Sequence, residues 1–312
     1  MKVDRRAFLA LPALHLATHE DAPPKVPVTK IIFGGDVILA RRAAQQMASA
    51  GSPFRHIAER FRKADIAFVN LESPFSDQAS LWPSDMIFRA VPDAVSVLSD
   101  AGIDVVSTAN NHVRDCGERG IVFTLDWLAR HGIAAVGTGI DGPSARAGVV
   151  LERNSQRFGF LAYTFDANNG NYLDSDPRVA MLDKKTVSAD IAGLRRRADV
   201  VVVSMHAGIE YQRQPWQQQT EFAHAAIDAG AALVVGHHPH VVQTHELYKD
   251  GFILYSLGNL VFDQAPPETN KGLIAEATFV ERRLVRCDLI PIDIADAAPR
   301  FSSRETAILR FD

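Results

Sequence analysis

Side chains that can bind metal ions recur at the ends of several predicted strands in this chain. They are carboxylates, amides and imidazoles: Asp36; Asn70 and Glu72; Asn110, Asn111 and His112; His206; and His237, His238 and His240. A lone histidine after a strand is more often a core or surface residue, but hydrophobic packing gives no reason to repeat such residues at successive strand ends. Mixed oxygen and imidazole ligands suit zinc, manganese or iron better than calcium. The pattern therefore predicts a transition-metal site.

Hydrophobic runs and helical periods alternate through the first half of the chain, and this order positions the polar residues. The runs KIIFGGDV, DIAFVNLES, GIDVVSTANNH and GIAAVGTG are predicted to be strands, and helices are predicted at residues 54–64, 92–101 and 117–131. Such an order favours a parallel sheet, in which ligands bind beyond the carboxyl ends of the strands.

Paired strands replace this repeat in the second half. AGVVLER and FGFLAYT are predicted to form a hairpin, and the polar loop at residues 166–177 is long enough to be a lid or a mobile segment. The apolar runs DVVVVSMHAG and AALVVGHHPHVVQ are predicted to be buried strands that end in histidines. Helices are predicted at 188–197 and 216–229, and strands at 273–279 and 284–292 are expected to complete a second sheet.

Composition and charge exclude several classes of protein. Of 312 residues, 47% are apolar and 22% are charged, which is typical of a folded globular protein and argues against disorder, collagen and coiled coils. There are 33 basic and 37 acidic residues, a net charge of −4, so we expect no nucleic-acid partner. Cys116 and Cys287 can form at most one disulfide and no cysteine-rich zinc site.

The N-terminus has the order of an export signal. Arg5 and Arg6 precede an apolar run that ends near Ala17, which is too short to span a membrane. The RRAFL sequence resembles a twin-arginine signal, which directs folded proteins to the bacterial envelope. We therefore expect an export signal and linker at residues 1–27, a single domain at 28–312, and a periplasmic or extracellular location. The alternative is a frayed amphipathic helix on a cytosolic protein.

Six blocks of sequence resemble, in order, the blocks of a known family. GGDV, NLES, STANNHVRDCG, SMHAGIEY, GHHPHVVQ and YSLGNLVFDQ resemble those of the bacterial capsule-synthesis CapA family, also called the poly-γ-glutamate synthesis family, over residues 29–292. That family is similar to the calcineurin-like metallophosphoesterases. The resemblance implies an α/β fold of the metallophosphatase type, which is a four-layer α-β-β-α sandwich of two mixed sheets.

The same resemblance implies roles for individual residues. Six positions match metal ligands: Asp36, Glu72, Asn111, His206, His238 and His240. His112 matches a general acid that follows the asparagine ligand. The implied cofactors are one or two divalent transition-metal ions, of zinc, manganese or iron.

One ligand of the wider superfamily is missing from this chain. The metallophosphoesterases usually open with D-x-H, whereas Ile38 occupies the histidine position and cannot bind a metal ion. His237, Asn259 or water is left to complete the first metal site.

Other polar residues are expected to contact the substrate or to support the ligands. They are Asn70, Arg89, Asn110, Asp115, Glu210, His237 and Asn259. Arg89 could bind an anionic group through two hydrogen bonds or be an ordinary surface arginine. Asp115 could orient its motif or simply form a turn into the next helix. Glu210 follows His206 closely enough to line the same cleft.

Two hypotheses about function follow from these residues. The first is an exported metal-dependent hydrolase, in which metal-activated water attacks a phosphoester or a γ-glutamyl amide and His112 protonates the leaving group. The second is a non-catalytic component of a capsule or poly-γ-glutamate synthesis and export complex, which binds the anionic polymer. The retained His112 favours the hydrolase, because a binding module needs no acid. The missing histidine at Ile38 favours the alternative.

Overall fold

The computed structural model describes residues 26–78, 86–165 and 176–311. The predicted export signal lies almost entirely outside these residues, and so does most of the polar loop predicted at 166–177. The strands within the described residues are Val28–Val37 (β1), Ile66–Leu71 (β2), Val105–Ser107 (β3), Ala134–Val136 (β4), Val149–Arg153 (β5), Gln156–Thr164 (β6), Val200–His206 (β7), Leu233–His237 (β8), His245–Tyr248 (β9), Gly251–Leu254 (β10), Asn259–Val261 (β11), Lys271–Val280 (β12), Arg283–Ala295 (β13), Ala298–Phe301 (β14) and Ala307–Arg310 (β15). The α-helices there are Arg41–Ala50 (α1), Ala58–Lys63 (α2), Ser96–Ala101 (α3), Gly117–Arg130 (α4), Gly142–Arg146 (α5), Lys184–Leu194 (α6) and Gln217–Asp228 (α7).

The strands form two mixed sheets. The first has the order β14-β13-β12-β1-β2-β3-β4, with β11 beside β1 and β15 beside β13. The second has the order β5-β6-β7-β8-β10-β9. Each sheet has a parallel centre, formed by β1 to β4 in one and by β6, β7, β8 and β10 in the other.

Three apolar layers hold the molecule together. Phe68 of the first sheet packs with Phe160 and Val235 of the second, so the two sheets face each other. Helices α2, α3 and α4 cover the outer face of the first sheet, while α6 and α7 cover the outer face of the second. The structure is therefore a four-layer α-β-β-α sandwich, which confirms the predicted fold class. Among the described helices, none is long and apolar enough to cross a bilayer.

Strand alternation directs polar side chains into the space between the sheets. Successive side chains of a strand point to opposite faces, so residues two or four apart share a face. Phe68, in the core between the sheets, is followed on that face by Asn70. In the same way Val202 is followed by His206, and Val235 by His237. At the ends of these three strands, amide and imidazole side chains therefore occupy the space between the sheets that apolar side chains fill farther back along each strand.

A β-bulge gives Asp36 the same orientation. Phe33 faces the second sheet, so a regular strand would turn Asp36 toward the helices. The register between β1 and β2 shifts between Phe33 and Asp36, which leaves Val37 in the helix-side core and Asp36 on the opposite face. Gly35 makes this possible, because a Cβ atom there would lie 1.9 Å from the carbonyl oxygen of Gly258.

Some predicted elements differ from those in the structure. The strands predicted at 273–279 and 284–292 do not complete the second sheet, since β12 pairs with β1 and carries β13 with it. The helix predicted at 188–197 begins at Lys184, because the Asp183 carboxylate accepts a hydrogen bond from the Thr186 N–H and caps it. Helix α1 and the short strands β9, β11, β14 and β15 were not predicted.

Candidate metal centre

The centre of the site is the amide of Asn70. Its Nδ2 lies 2.8 Å from Asp36 Oδ1, 3.1 Å from His206 Nδ1 and 3.3 Å from Glu72 Oε1. An amide nitrogen has two hydrogens, so it cannot satisfy three acceptors fully. Three atoms that can bind a metal ion therefore converge on one point.

Asp36, Glu72 and His206 form what we call the inner triad. One potential ligand atom of each lies within 4.8 Å of the others, and all three residues are fully buried. Within the described part of the chain, neither carboxylate pairs with a lysine or arginine, and Glu72 Oε2 has no hydrogen-bond partner. Two buried carboxylates with no lysine or arginine to balance their charge are costly, so a bound cation would stabilise the inner triad.

Asn111 contacts the inner triad from the loop that follows β3. Its Oδ1 lies 2.8 Å from His206 Nε2. The Asn70 amide donates toward Nδ1 of the His206 ring, so the Nδ1 lone pair faces Asn70. The Nε2–H of His206 then faces Asn111. The structure thus brings Asn111 into contact with His206, and its role as a metal ligand stays a prediction.

Glu210, His238 and His240 form a second group, the outer triad, whose potential ligand atoms also lie within 4.8 Å of one another. The two histidines come from the loop after β8, and Glu210 is exposed in the loop after β7. His238 donates its backbone N–H to Asp36 Oδ2 at 3.2 Å, and His240 Nδ1 lies 3.4 Å from the same oxygen. The two triads therefore share one cleft.

Burial and neighbouring charges shift the pKa values of the site. Burial raises the pKa of Asp36, but the His237 and His240 imidazoles, each 3.4 Å from one of its carboxylate oxygens, outweigh that influence and hold the pKa well below its usual value. Burial, and then the charge of Asp36, raises the pKa of Glu72 well above its usual value. Burial and neighbouring histidines lower the pKa of His206, and that of His238 to about 3. Both imidazoles are thus neutral, the form that binds metal ions.

His112 is held beside the triads by an acidic partner and an aromatic ring. Its Nδ1 lies 2.9 Å from Asp115 Oδ2, and its ring stacks on Phe88 at 3.7 Å between centroids. Asp115 Oδ2 also accepts the Phe88 N–H at 2.6 Å. Asp115 therefore orients the His112 ring, which is more than an ordinary turn residue does. With Nδ1 engaged, Nε2 is the ring nitrogen left for proton exchange.

Asn110 links His112 to the inner triad. Its Nδ2 donates to the Leu71 carbonyl at 2.7 Å and contacts Asn70 Oδ1 at 3.4 Å, while its Oδ1 accepts the His112 N–H at 3.1 Å. One amide thus sets the distance between the central Asn70 and His112.

Three other predicted site residues, His237, Asn259 and Arg89, each contact different neighbours. His237 Nδ1 lies 3.4 Å from Asp36 Oδ1, and its ring stacks on Phe68 in the core between the sheets. Asn259 supports His240, because its Oδ1 lies 2.9 Å from His240 Nδ1. Arg89 donates to the Ser76 carbonyl at 3.2 Å, so the structure ties it to that loop, and its contact with substrate stays a prediction.

Arg41 lies close to His112 and was not predicted from the sequence as a site residue. Its guanidinium carbon lies 5.1 Å from the centre of the Phe88 ring that stacks on His112, and its Nη2 lies 3.0 Å from Asp263 Oδ1. Its φ of 55° is unusual for a residue other than glycine, and such conformations concentrate at functional sites. The signal in the sequence was its position, five residues after Asp36, where α1 begins after the loop beyond β1.

The residues present fit a divalent transition-metal ion. Buried polar atoms in proteins are nearly always hydrogen-bonded, yet four atoms of this cleft have no such partner in the described chain. They are Glu72 Oε2, both ring nitrogens of His237, and His238 Nδ1. All are carboxylate oxygens or imidazole nitrogens, the ligands of zinc, manganese and iron.

The chain is similar to known proteins over all residues of the site. The family described as bacterial capsule synthesis protein PGA_cap matches residues 30–264. The PGA biosynthesis protein CapA of Bacillus subtilis (strain 168) is 30% identical over 96% of this chain and 83% of its own. The capsule biosynthesis protein CapA of Bacillus anthracis is 30% identical over 85% of this chain and 67% of its own.

A similar fold occurs in a solved structure. A hypothetical protein from Thermus thermophilus has a TM-score of 0.51 at 16% identity, over 90% of this chain and 99% of its own. At that identity the likeness concerns the fold alone.

Proposed function

This chain belongs to the bacterial capsule synthesis protein family, and from that premise we propose that it is a metal-dependent hydrolase acting on an anionic substrate of capsule or poly-γ-glutamate synthesis. The observation that carries the proposal is the pair of buried carboxylates, Asp36 and Glu72, without a lysine or arginine partner among the described residues. Beside them lies a histidine held by its own carboxylate partner, His112. The bond cleaved is a phosphoester or a γ-glutamyl amide.

In this proposal the inner triad, with Asn111 beside it, holds the metal ion. Such an ion would polarise a phosphoryl or acyl oxygen and lower the pKa of water in the cleft. Asn70 and Asn110 keep the triad and His112 at a constant separation through their amide hydrogen bonds. A fixed separation matters because a misplacement of about 1 Å can cost roughly 10²-fold in rate.

His112 supplies the proton that the leaving group needs. Asp115 and Phe88 hold its ring in one orientation, so Nε2 can donate to the oxygen or nitrogen that departs. Arg41 lies over the Phe88 ring and pairs with Asp263, and its guanidinium is placed to meet an anionic group of the substrate. His112 and Arg41 thus divide proton transfer and anion recognition between them.

Metal analysis followed by a hydrolysis screen tests the proposal. The full chain, loaded with zinc, manganese or iron, should hydrolyse nitrophenyl phosphate esters or γ-glutamyl peptides. Glu72→Gln should lose bound metal and turnover together, because it removes a carboxylate of the inner triad. If the loaded protein hydrolyses none of these substrates but binds poly-γ-glutamate, the non-catalytic polymer-binding alternative replaces the hydrolase.

Export to the envelope is part of the same proposal. Its support is the order of Arg5, Arg6 and the short apolar run that follows them. Replacing both arginines by lysine should retain the protein in the cytoplasm, as followed by cell fractionation. Arrival of that variant in the envelope would contradict a twin-arginine route.

A further inference from the structure

We propose that Glu210 is the ligand that the end of β1 lacks, and that it completes, with His238 and His240, the outer of the two metal sites that the family resemblance implies. The inference rests on the proposed function, since it adds a cation to the same cleft. It assigns Glu210 as a ligand in addition to His238 and His240, whose potential ligand atoms lie within 4.8 Å of one another and of Glu210.

Ile38 cannot supply this ligand for a positional as well as a chemical reason. It directly follows β1, and its side chain is fully buried in the helix-side core with Val37 and Leu39. Asn259 does not replace it either. Its Oδ1 faces His240, and its Nδ2 donates to Gln264 Oε1 and to the Thr269 carbonyl, each at 3.1 Å.

The two histidines of the outer triad have lone pairs in position for a metal ion. Because the Asn259 amide donates with Nδ2, its Oδ1 accepts the Nδ1–H of His240, which leaves the lone pair on His240 Nε2. His238 is only 8% exposed, and its Nδ1 has no hydrogen-bond partner in the described chain. An unsatisfied buried nitrogen beside a second imidazole and a carboxylate is the arrangement expected of metal ligands.

The backbone holds both loops in unusual conformations to make this arrangement. His238 and His240 have φ values of 97° and 57°, and Tyr211, next to Glu210, has 65°. Such values are unfavourable in residues other than glycine. Their cost is compatible with folding only where surrounding contacts offset it, so the positions of these side chains are specified rather than incidental.

Hydrogen bonds attach the Glu210 loop to the histidine loop. The Tyr211 N–H donates to the Pro239 carbonyl at 2.9 Å. Farther along, Gln243 Nε2 donates to the carbonyls of Gln212 and Gln214 at 2.9 and 3.1 Å. The carboxylate is thus carried on a segment that is fastened to the loop of the two imidazoles.

The ligand set indicates the kind of cation. Two imidazoles and one glutamate, with a position open to solvent, are the ligands of catalytic zinc in several hydrolases. Glu210 is exposed while the inner triad is fully buried, so the outer cation would face the arriving substrate. We expect the outer site to prefer zinc to magnesium or calcium, which favour all-oxygen ligands.

Zinc titration of the full chain tests this assignment. Protein stripped with a chelator is titrated by calorimetry, and bound zinc is then counted by elemental analysis after desalting. The wild type should bind two equivalents. Glu210→Gln should bind one with unchanged affinity, and the affinity for the other should fall by at least ~10-fold, the least effect typical of disturbing a metal's surroundings.

Glu268→Gln is the matched control. Its charge also acts on Tyr211, as that of Glu210 does, but Glu268 is not part of either triad. It should keep two equivalents, which separates loss of a ligand from loss of nearby negative charge. Circular dichroism of each metal-free variant verifies that it is folded.

The remaining outcomes are distinguishable. Two equivalents of unchanged affinity in Glu210→Gln would overturn the assignment of Glu210 as a ligand. A single equivalent in the wild type would also overturn it, while leaving the proposed hydrolase in place. A wild type that binds no zinc, manganese or iron would overturn both proposals.

Discussion

Acidic residues lie at both ends of strand β7, and their charges are balanced differently at the two ends. Asp199 directly precedes β7 and accepts hydrogen bonds from Arg157 Nε at 3.2 Å and Nη2 at 2.9 Å, while Arg282 lies 3.6 Å away. At the other end, His206 meets Asp36 and Glu72, and no arginine or lysine of the described chain pairs with either carboxylate.

The pKa values record this difference. The Arg157 hydrogen bond, the largest influence, and the nearby positive charges lower the pKa of Asp199 to about 2. Burial and the charge of Asp36 instead raise the pKa of Glu72 well above its usual value. An acid whose charge is compensated by the chain is structural, whereas buried acids left uncompensated favour binding of an external cation. Variants at the two ends of β7 can test that contrast.

The largest expected effect is on metal-dependent stability. For a site filled at about 1,000 times its Kd, binding adds roughly 4 kcal/mol to the free energy of unfolding. The double variant Asp36→Asn, Glu72→Gln should lose most of this gain, because it removes both carboxylates of the inner triad. Urea unfolding with and without zinc measures this gain.

Asp199→Asn is the comparison variant for that experiment. It removes an acidic group from the opposite end of β7, so it should keep the full gain from zinc. An equal zinc gain in the double variant and in Asp199→Asn would show that the ion is held elsewhere.

The second-largest expected effect is on proton transfer by His112, near the end of β7 where Asp36 and Glu72 lie. His112→Ala should lower kcat by ~10²–10⁴-fold while bound metal is retained, since His112 is proposed as an acid and not a ligand. The loss should shrink for nitrophenyl esters, whose leaving group needs little protonation. His131→Ala, at an exposed ring that contacts the Trp127 carbonyl, is the control. Wild-type turnover by His112→Ala on every substrate would refute the assignment.

A smaller effect is expected at Arg41. Hydrogen bonds to charged groups contribute about 1.5–3 kcal/mol, so Arg41→Gln should raise KM for an anionic substrate by roughly 10- to 150-fold, with less change in kcat. The neighbouring Arg42→Gln should change KM little, because the Arg42 side chain is exposed and belongs to neither triad. If both variants behave alike, recognition of the anion is not specific to Arg41.

The smallest expected effect is the loss of stability in acid that results from protonation of Asp199. The pKa of Asp199 is about 2 in the folded protein and ~3.9 in an unfolded chain, so its contribution is complete above pH ~4 and is lost as the pH falls from ~4 toward 2. Because Arg157 and Arg282 are 46% and 63% exposed, solvent screening reduces that contribution to about 1 kcal/mol.

Urea unfolding at about pH 5 and about pH 3 measures this contribution. The wild type should lose up to about 1 kcal/mol more than Asp199→Asn over that interval, and added salt should narrow the difference. An identical pH dependence in the two proteins would mean that the arginines do not stabilise the charged form of Asp199.

The family and the fold class could be predicted from the sequence and are confirmed, because both rest on patterns that recur along the chain. Hydrophobic runs predicted the strands, and Asp36, Asn70, His206 and His237 were recognisable because each lies at the end of such a run. Parallel strands bring their carboxyl ends to one edge, which is why these residues meet. The roles in metal binding and catalysis, the export and the location stay predictions.

Contacts between segments that are distant in the sequence determined the remaining features of the fold and of the site. Strands β12 and β13 could be expected as strands, but only the pairing of β12 with β1, and of β13 with β12, places them in the first sheet. The bulge at Gly35 depends on the close approach of the distant Gly258, and without it Asp36 would face the helices. Likewise Glu210 reaches the two histidines only because the loops after β7 and β8 are hydrogen-bonded to each other. A side chain's type is local information, whereas the partner that gives it a function is chosen by the packing of distant segments.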